Sequence, residues 1–373
     1  MTAAVDDALP WAPVELDIAI TARCNLGCRY CYYADEMAAA QDMPAARWLA
    51  FFEELGRLAV QRLYLTGGEP LARPDLFALI DGIVANRMRY AVLSNGTLLT
   101  ERTLAEFEQG KRRVRLDYIQ ISIDGSRAEI HDANRPASFE RALRALRLLV
   151  EAGFPAQARV TITRHNVDDL EAIAHLLLDD VGLPAFGCNE AFPCGQTERQ
   201  GQPIVLTARQ RRQAMETLVE LDRRYPGRIH AAAGPLALAR HFAAMEEALA
   251  AGETGMPGRG TLSACGCVWA KLAVQPDGAL VPCHILGTPV LGIAGVDDLG
   301  SIWRDHPGLR ALRERHTIAL ETLETCRGCR YQGFCTGGCP AGALFLTGDL
   351  NGRNPMDCYR VHRGEDPYFR LEE

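Results

Sequence analysis

Six short apolar runs rich in β-branched and aromatic residues recur along the first half of the chain: ELDIAIT from Glu15, RLYLTG from Arg62, YAVLSN from Tyr90, YIQISID from Tyr118, ARVTIT from Ala158 and AFGCNEAF from Ala185. Between them lie segments such as AARWLAFFEELGRLAV and FERALRALRLLVEAG, with apolar residues at helical spacing. The runs predict strands, the spacing predicts helices, and their alternation predicts parallel βα units. Six such units point to an α/β fold, a partial (β/α)6 TIM-like barrel whose ligand site lies at the carboxyl ends of the strands. Beyond residue 195 the rhythm changes. LTARQRRQAMETLVELDRRY and LALARHFAAMEEALAA read as helices and GETGMPGRG as a mobile loop. The expected division is an extension over 1–13, the barrel over 14–195, a helical connection over 196–260 and a small cysteine-rich domain over 261–373.

Composition supports this division, because 373 residues at 48% hydrophobic and 23% charged can bury a large core and fill two domains. A net charge of -7 gives no bulk attraction to nucleic acid or to an anionic membrane, and neither is expected as a partner. The basic run GKRRVR at 110–115 reads as a solvated helix end. The N-terminus is acidic without a signal-like apolar segment, and no stretch is long and apolar enough to span a membrane, so the expected location is cytoplasmic.

In a reducing compartment, thirteen cysteines suggest metal or redox chemistry more than disulfides. Eleven are grouped: Cys24, Cys28 and Cys31; Cys265, Cys267 and Cys283; Cys326, Cys329, Cys335, Cys339 and Cys358. The first group follows the first predicted strand and so opens into the barrel mouth. Three thiolates hold three corners of a four-iron cluster and leave one iron for a substrate or cofactor to chelate. Zinc is the alternative, but a structural zinc site needs four ligands and this loop offers no fourth cysteine or histidine nearby.

The segment CNLGCRYC resembles the CxxxCxΦC motif of the radical S-adenosylmethionine (radical SAM) enzymes, with Tyr30 as the aromatic position. The resemblance implies that Cys24, Cys28 and Cys31 bind a 4Fe-4S cluster. It further implies that this cluster binds SAM and cleaves it to methionine and a 5′-deoxyadenosyl radical. LTGGEP at 65–70 is similar to the family's GGE segment, in which Gly67, Gly68 and Glu69 would hold the methionyl amino group. SNGTLL, with Ser94 and Asn95, and SIDG, with Ser122 and Asp124, resemble the next two strand ends, and Ser122 would contact the SAM ribose. Arg135 in HDANRP is a further candidate for SAM; a surface arginine is the plain alternative.

The later cysteines are similar to the SPASM extension of that family: from Cys267, ten residues lead to Gly278 and four more to Cys283, and CRGCRYQGFCTGGC with Cys358 completes the pattern. The resemblance implies two auxiliary 4Fe-4S clusters, three clusters in all. Cys326, Cys329, Cys335 and Cys358 would bind the outer one, and Cys283 and Cys339 the inner one with Cys265, Cys267 or both. Metal bonds would then supply folding energy that a small core lacks, and a purely structural or zinc-binding domain is the alternative.

Many members of this subfamily act on ribosomally made peptides or proteins, by oxidation, crosslinking or epimerisation; others act on aminoglycosides or sugars. Peptide or protein maturation is the leading expectation, a small-molecule dehydrogenase or epimerase the second, and a non-enzymatic iron–sulfur electron carrier the third, which a GGE segment and an open iron do not suit. An electron donor such as flavodoxin or ferredoxin is implied. Only 23 residues precede Cys24, so a peptide substrate is expected to need a separate recognition protein or direct binding. Cys188 and Cys194, at the sixth strand and just past it, are candidate hydrogen-atom donors, with simple packing as the alternative.

Overall fold

The computed structural model describes residues 9–34, 41–199, 204–263 and 265–370, so the first eight residues of the expected extension and the last three of the second domain lie outside the described residues. Ten described strands make one sheet in the order β10-β9-β8-β1-β2-β3-β4-β5-β6-β7. The six apolar runs are β1 (Glu15–Thr21), β2 (Arg62–Gly67), β3 (Arg89–Ser94), β4 (Leu116–Ser122), β5 (Ala156–Ile162) and β6 (Phe186–Glu190), all paired in parallel. Between them run α1 (Ala45–Arg57), α2 (Leu76–Ala85), α3 (Glu101–Phe107), α4 (Phe139–Glu151) and α5 (Leu170–His175). The expected partial barrel is therefore the fold, and it does not close. β6 continues to β7 (Ile229–His230), while β1 continues to β8 (Lys271–Val274).

Strand alternation decides which side chains meet the helices. Leu16, Ile18 and Ile20 of β1, Leu63 and Leu65 of β2, and Ile119 and Ile121 of β4 share one core with Trp48, Phe51, Phe52 and Leu55 of α1. In α1 these four recur at i, i+3, i+4 and i+7, a stripe on one face, and each full burial contributes about 2 kcal/mol. The opposite strand face is polar. Arg62 lies 2.7 Å from Glu15, Asp117 pairs with both Arg62 and Arg89, and Lys271 is 3.2 Å from Asp17. Glu15 is the register partner of Arg62, and Arg62 that of Arg89, so charges inside the barrel are answered strand to strand. Part-exposed pairs of this kind contribute at most about 1 kcal/mol each.

Two local expectations are corrected. Within GKRRVR, Arg112 is buried; its guanidinium donates to both carboxylate oxygens of Asp81 at 2.7 Å and to Glu106, and lies over the Phe77 ring. Arg113 stacks on Phe154 at 3.7 Å, so the planar cations join α2 to the sheet instead of meeting only water. GETGMPGRG is irregular but tethered: Met256 N donates to Gly333 O at 2.8 Å and Gly260 N to Cys335 O at 2.9 Å.

The connection contains α6 (Ala208–Arg224), opened by a capping box between Thr207 and Gln210, and α7 (Gly234–Ala250), which pack on each other. In the cysteine-rich part of the chain β8, β9 (Ala279–Val281) and β10 (Gly292–Ile293) form an antiparallel extension of the sheet. Trp303, Leu309 and Leu312 of the domain's helices α8 (Leu299–Asp305) and α9 (Pro307–Glu314) belong to the barrel's own core. No described helix is long and apolar enough to cross a membrane.

A chain ending at residue 260 would strip β8 from residues 15–18 of β1 and uncover this shared core. It is expected to aggregate, because an open apolar edge recruits other strands. Light scattering on the truncated protein checks this, and a monodisperse monomer would contradict it.

Candidate functional site

The first cysteine group leaves the end of β1 and is sewn to the end of β2. Gly68 N donates to Thr21 O and Glu69 N to Arg23 O, both at 2.8 Å. A Cβ at Gly67 would stand 2.4 Å from Thr21 O and one at Gly68 2.2 Å from Arg23 O, so only glycine allows this approach. Asp42 holds the same turn, accepting from Thr21 Oγ1 and Ala22 N at 2.7 Å. Within the loop, Asn25 donates to Thr97 Oγ1 at 2.8 Å and accepts from Asn95 Nδ2 at 3.0 Å, which ties it to the end of β3.

Glu69 is fully buried and pairs directly with no cation among the described residues. Its carboxylate accepts from Leu71 N (3.1 Å), Ser94 Oγ (2.8 Å) and Asn95 N (2.7 Å), and burial pushes its pKa above the usual carboxylate range. Three donors leave about one lone-pair position unused on the carboxylate. Ser94 and Asn95, expected as cofactor contacts, are thus first of all the clasp between β2 and β3.

A second hub sits at the end of β4. Asp124, fully buried, accepts from Tyr30 OH, from Arg135 Nε at 2.5 Å and from Thr161 N at 2.7 Å. Arg135 lies over the Tyr30 ring and reaches Cys28 Sγ at 3.6 Å, so it is an internal arginine, not a surface one. Burial raises the Cys24 and Cys28 thiols above their ordinary range and pushes Cys31 up to about 11. A thiolate here needs a positive neighbour, which iron or Arg135 supplies. Ser122, half-buried at the end of β4, has Arg159 of β5 as its register partner.

His131 supports this hub, and nothing in the chain marks it beyond its place near Arg135. Asp124 N donates to His131 Nδ1 at 3.0 Å, so the other ring nitrogen carries the proton and faces Ser138 Oγ at 3.0 Å. Ser138 Oγ in turn donates to Arg135 O at 2.6 Å.

The later cysteines fall into two sets, within each of which the thiols act on one another electrostatically: Cys265, Cys267, Cys283 and Cys339, and then Cys326, Cys329, Cys335 and Cys358. The structure thus brings both members of the doubled CGC to the inner set. Their thiols hydrogen-bond to each other, so the pair releases its first proton below the usual thiol range and retains the second. The outer four line one cavity with Arg353. Among the described residues no three histidine, cysteine, aspartate or glutamate side chains close on a point suited to one metal ion. In a four-iron cluster iron and sulfide alternate at the corners of a cube and each iron takes one thiolate, so a set of four cysteines matches the ligand number of one such group. Burial raises the Tyr32 hydroxyl above its usual range, and Cys31, Cys283 and Cys194 are among the groups whose charge acts on it.

Of the two unclustered cysteines, Cys188 is 1% exposed on the strand face that carries Phe186, inside the main core and turned from the mouth. Alternation along β6 puts it there. Cys194 is buried against the cysteine loop, where Gln196 N donates to Cys31 O at 3.1 Å.

The model of the radical SAM superfamily matches residues 18–177, and that of the SPASM iron–sulfur cluster-binding domain matches residues 265–330. The chain is 28% identical over 353 residues to the PqqA peptide cyclase of Ruegeria pomeroyi, covering 92% of this chain and 87% of that protein. It is also 28% identical over 363 residues to the AdoMet-dependent heme synthase of Methanosarcina barkeri, covering 95% and 98%. Among solved structures, Streptococcus suis SuiB bound to its precursor peptide SuiA superposes with a TM-score of 0.73 at 16% identity, covering 96% of this chain and 78% of that one.

Burial lowers the His131 pKa to about 4, below the 6.5 of an unfolded histidine. Between those values the unfolded chain takes up the proton first, so stability present above pH 6.5 is lost as the pH falls toward 4, up to about 3 kcal/mol. His131→Asn, which keeps an acceptor for Asp124 N but does not titrate, is expected to flatten that part of the pH profile. Urea denaturation at pH 7 and pH 5 measures it; an unchanged pH dependence in the variant would refute the assignment.

Proposed function

Since this chain belongs to the radical SAM superfamily of enzymes, we propose that it cleaves SAM reductively and modifies a ribosomally made peptide or protein by oxidation or crosslinking. The observation that carries this reading is the convergence at the carboxyl ends of β1 to β4 of three grouped thiols, the clasped Gly67–Glu69 segment and the Asp124–Arg135 pair. When bound, the cluster supplies the electron that splits the SAM sulfonium, giving the 5′-deoxyadenosyl radical that takes a hydrogen atom from the substrate. Cys24, Cys28 and Cys31 hold it. The Gly67–Glu69 segment offers backbone oxygens and the spare Glu69 position to the methionyl amino group. Arg135 and Ser122 face the carboxylate and ribose, and Asp124 fixes Arg135 and Tyr30.

The two sets of four later cysteines hold two further clusters, three in all. The relative whose name is peptide cyclase and the fold shared with SuiB support the peptide substrate. A flavodoxin or ferredoxin supplies electrons, and a separate protein presents the peptide. Neither Cys188 nor Cys194 donates hydrogen in this reading. The heme synthase relative, equally similar in sequence, favours small-molecule oxidation as the second reading. Stimulation of 5′-deoxyadenosine release by a genomically adjacent short peptide, and not by small molecules, separates the two.

Anaerobically reconstituted protein is expected to carry about twelve irons, and the Cys24, Cys28 and Cys31 triple-alanine variant about a third fewer, with no 5′-deoxyadenosine formed under dithionite. Iron analysis and chromatography of the SAM products check this, and SAM cleavage by the variant would overturn the assignment. With the true substrate in deuterated water, Cys188→Ala and Cys194→Ala are expected to give the wild-type product. Inversion with solvent deuterium in wild type and an abortive product in either variant would make the enzyme an epimerase.

A further inference from the structure

Beside each cysteine set of the second domain stands one buried arginine. Arg353, 5% exposed, donates from Nη1 to Cys358 Sγ at 2.8 Å and from Nη2 to Asp366 at 2.7 Å. Arg360 shares Asp366 at 3.7 Å. Arg315, 1% exposed, donates from Nε to Ser263 O at 3.0 Å, two residues before Cys265. Its two terminal nitrogens are buried and have no hydrogen-bond partner among the described residues. The thiols that act on it are Cys339 and Cys265, and Asp349 acts from outside ion-pair distance.

A guanidinium with two unanswered NH2 groups does not stay buried cheaply unless an anion faces it. Around Arg315 the residues able to organise one are the inner cysteines. A four-iron cluster held by four thiolates is anionic and gains a further negative charge on reduction. A fixed cation and N–H···S hydrogen bonds therefore favour the reduced form and raise the potential.

Resting on the cluster assignment above, we propose that Arg315 and Arg353 are positioning residues that set the reduction potentials of the inner and outer auxiliary clusters, each through the sulfurs of its own set. Arg353 already makes such a bond to Cys358, and Arg315, anchored by its Nε beside Cys265, keeps two buried donors without a partner among the described residues. The fold supplies the two cations separately. Arg315 follows α9, whereas Arg353 lies in the loop after α10 (Pro340–Thr347) and is braced by Asp366 near the C-terminus.

The test is an electron-paramagnetic-resonance redox titration of the full chain carrying the Cys24, Cys28 and Cys31 triple-alanine change, in which two one-electron waves should remain. Arg315→Met is expected to move one wave negative, lowering the reduced-to-oxidised ratio at fixed potential about tenfold, or 59 mV for a one-electron couple, and to leave the other in place. Arg353→Met should do the reverse, and Arg315→Lys should keep most of the wild-type value. Both waves unmoved at full iron content, or one wave answering to both arginines, overturns the proposal. If Arg315→Met loses iron, retention in Arg315→Lys supports the charge role and loss in both overturns it. Absence of the two waves before any arginine is changed overturns the cluster assignment itself, which is a different result from waves that are present and do not move.

Discussion

β1 is paired along both edges, with β2 on one side and β8 on the other, and the arrangement of the site depends on that double pairing. The cysteine loop emerges from its carboxyl end and is bound at once to Gly68 and Glu69 beyond β2. On the other edge, β8 runs from just after Cys267 toward the hairpin that ends at Cys283. One strand therefore places the first thiol group and the inner auxiliary group in a common frame, and Tyr32 lies where the charges of both are felt. Parallel pairing fixes this geometry because all strand ends of one polarity gather at the same rim.

The rim is densely cross-bonded. Its polar groups are buried, and a buried donor or acceptor left without a partner costs about 1–3 kcal/mol. Glu69, Asp124, His131 and Asn95 each satisfy two or more neighbours, so no one of them moves without stranding another. Such a network holds the groups around the rim in fixed relative positions, which is what the proposed chemistry would need.

Charge is handled differently in the two halves. In the lumen, acids and bases face each other across neighbouring strands, and the pairs are cheap because water still reaches them. At the cysteine sets, burial raises most thiols above their usual range, and the compensating cations are single arginines held by distant carboxylates or by backbone. Asp124 braces Arg135 beside the first cysteine group as Asp366 braces Arg353 beside Cys358. Asp124 lies 11 residues before its arginine, and Asp366 13 residues after, so the same physical device recurs with no common spacing.

Much of this was legible in the chain itself. Periodicity fixes strands and helices because burial of one face is a local requirement, and the six runs became six parallel strands. The cysteine spacings were equally readable, since a cluster demands ligands at short, fixed separations, and Gly67 and Gly68 announce a close backbone approach. Spacing did not reveal that β8 continues the barrel's own sheet, that Arg112 is buried, that Cys188 faces the core, that Arg135 and Arg353 each reach a cysteine sulfur or that Arg315 is buried beside Cys265. Those outcomes depend on contacts between residues up to 256 positions apart, such as Glu15 with Lys271. Sequence by itself determined which residues can ligate, turn or alternate, because those properties belong to single residues and their near neighbours. Only the tertiary structure decided which charges meet, because a buried charge is stable only where the folded chain brings its partner.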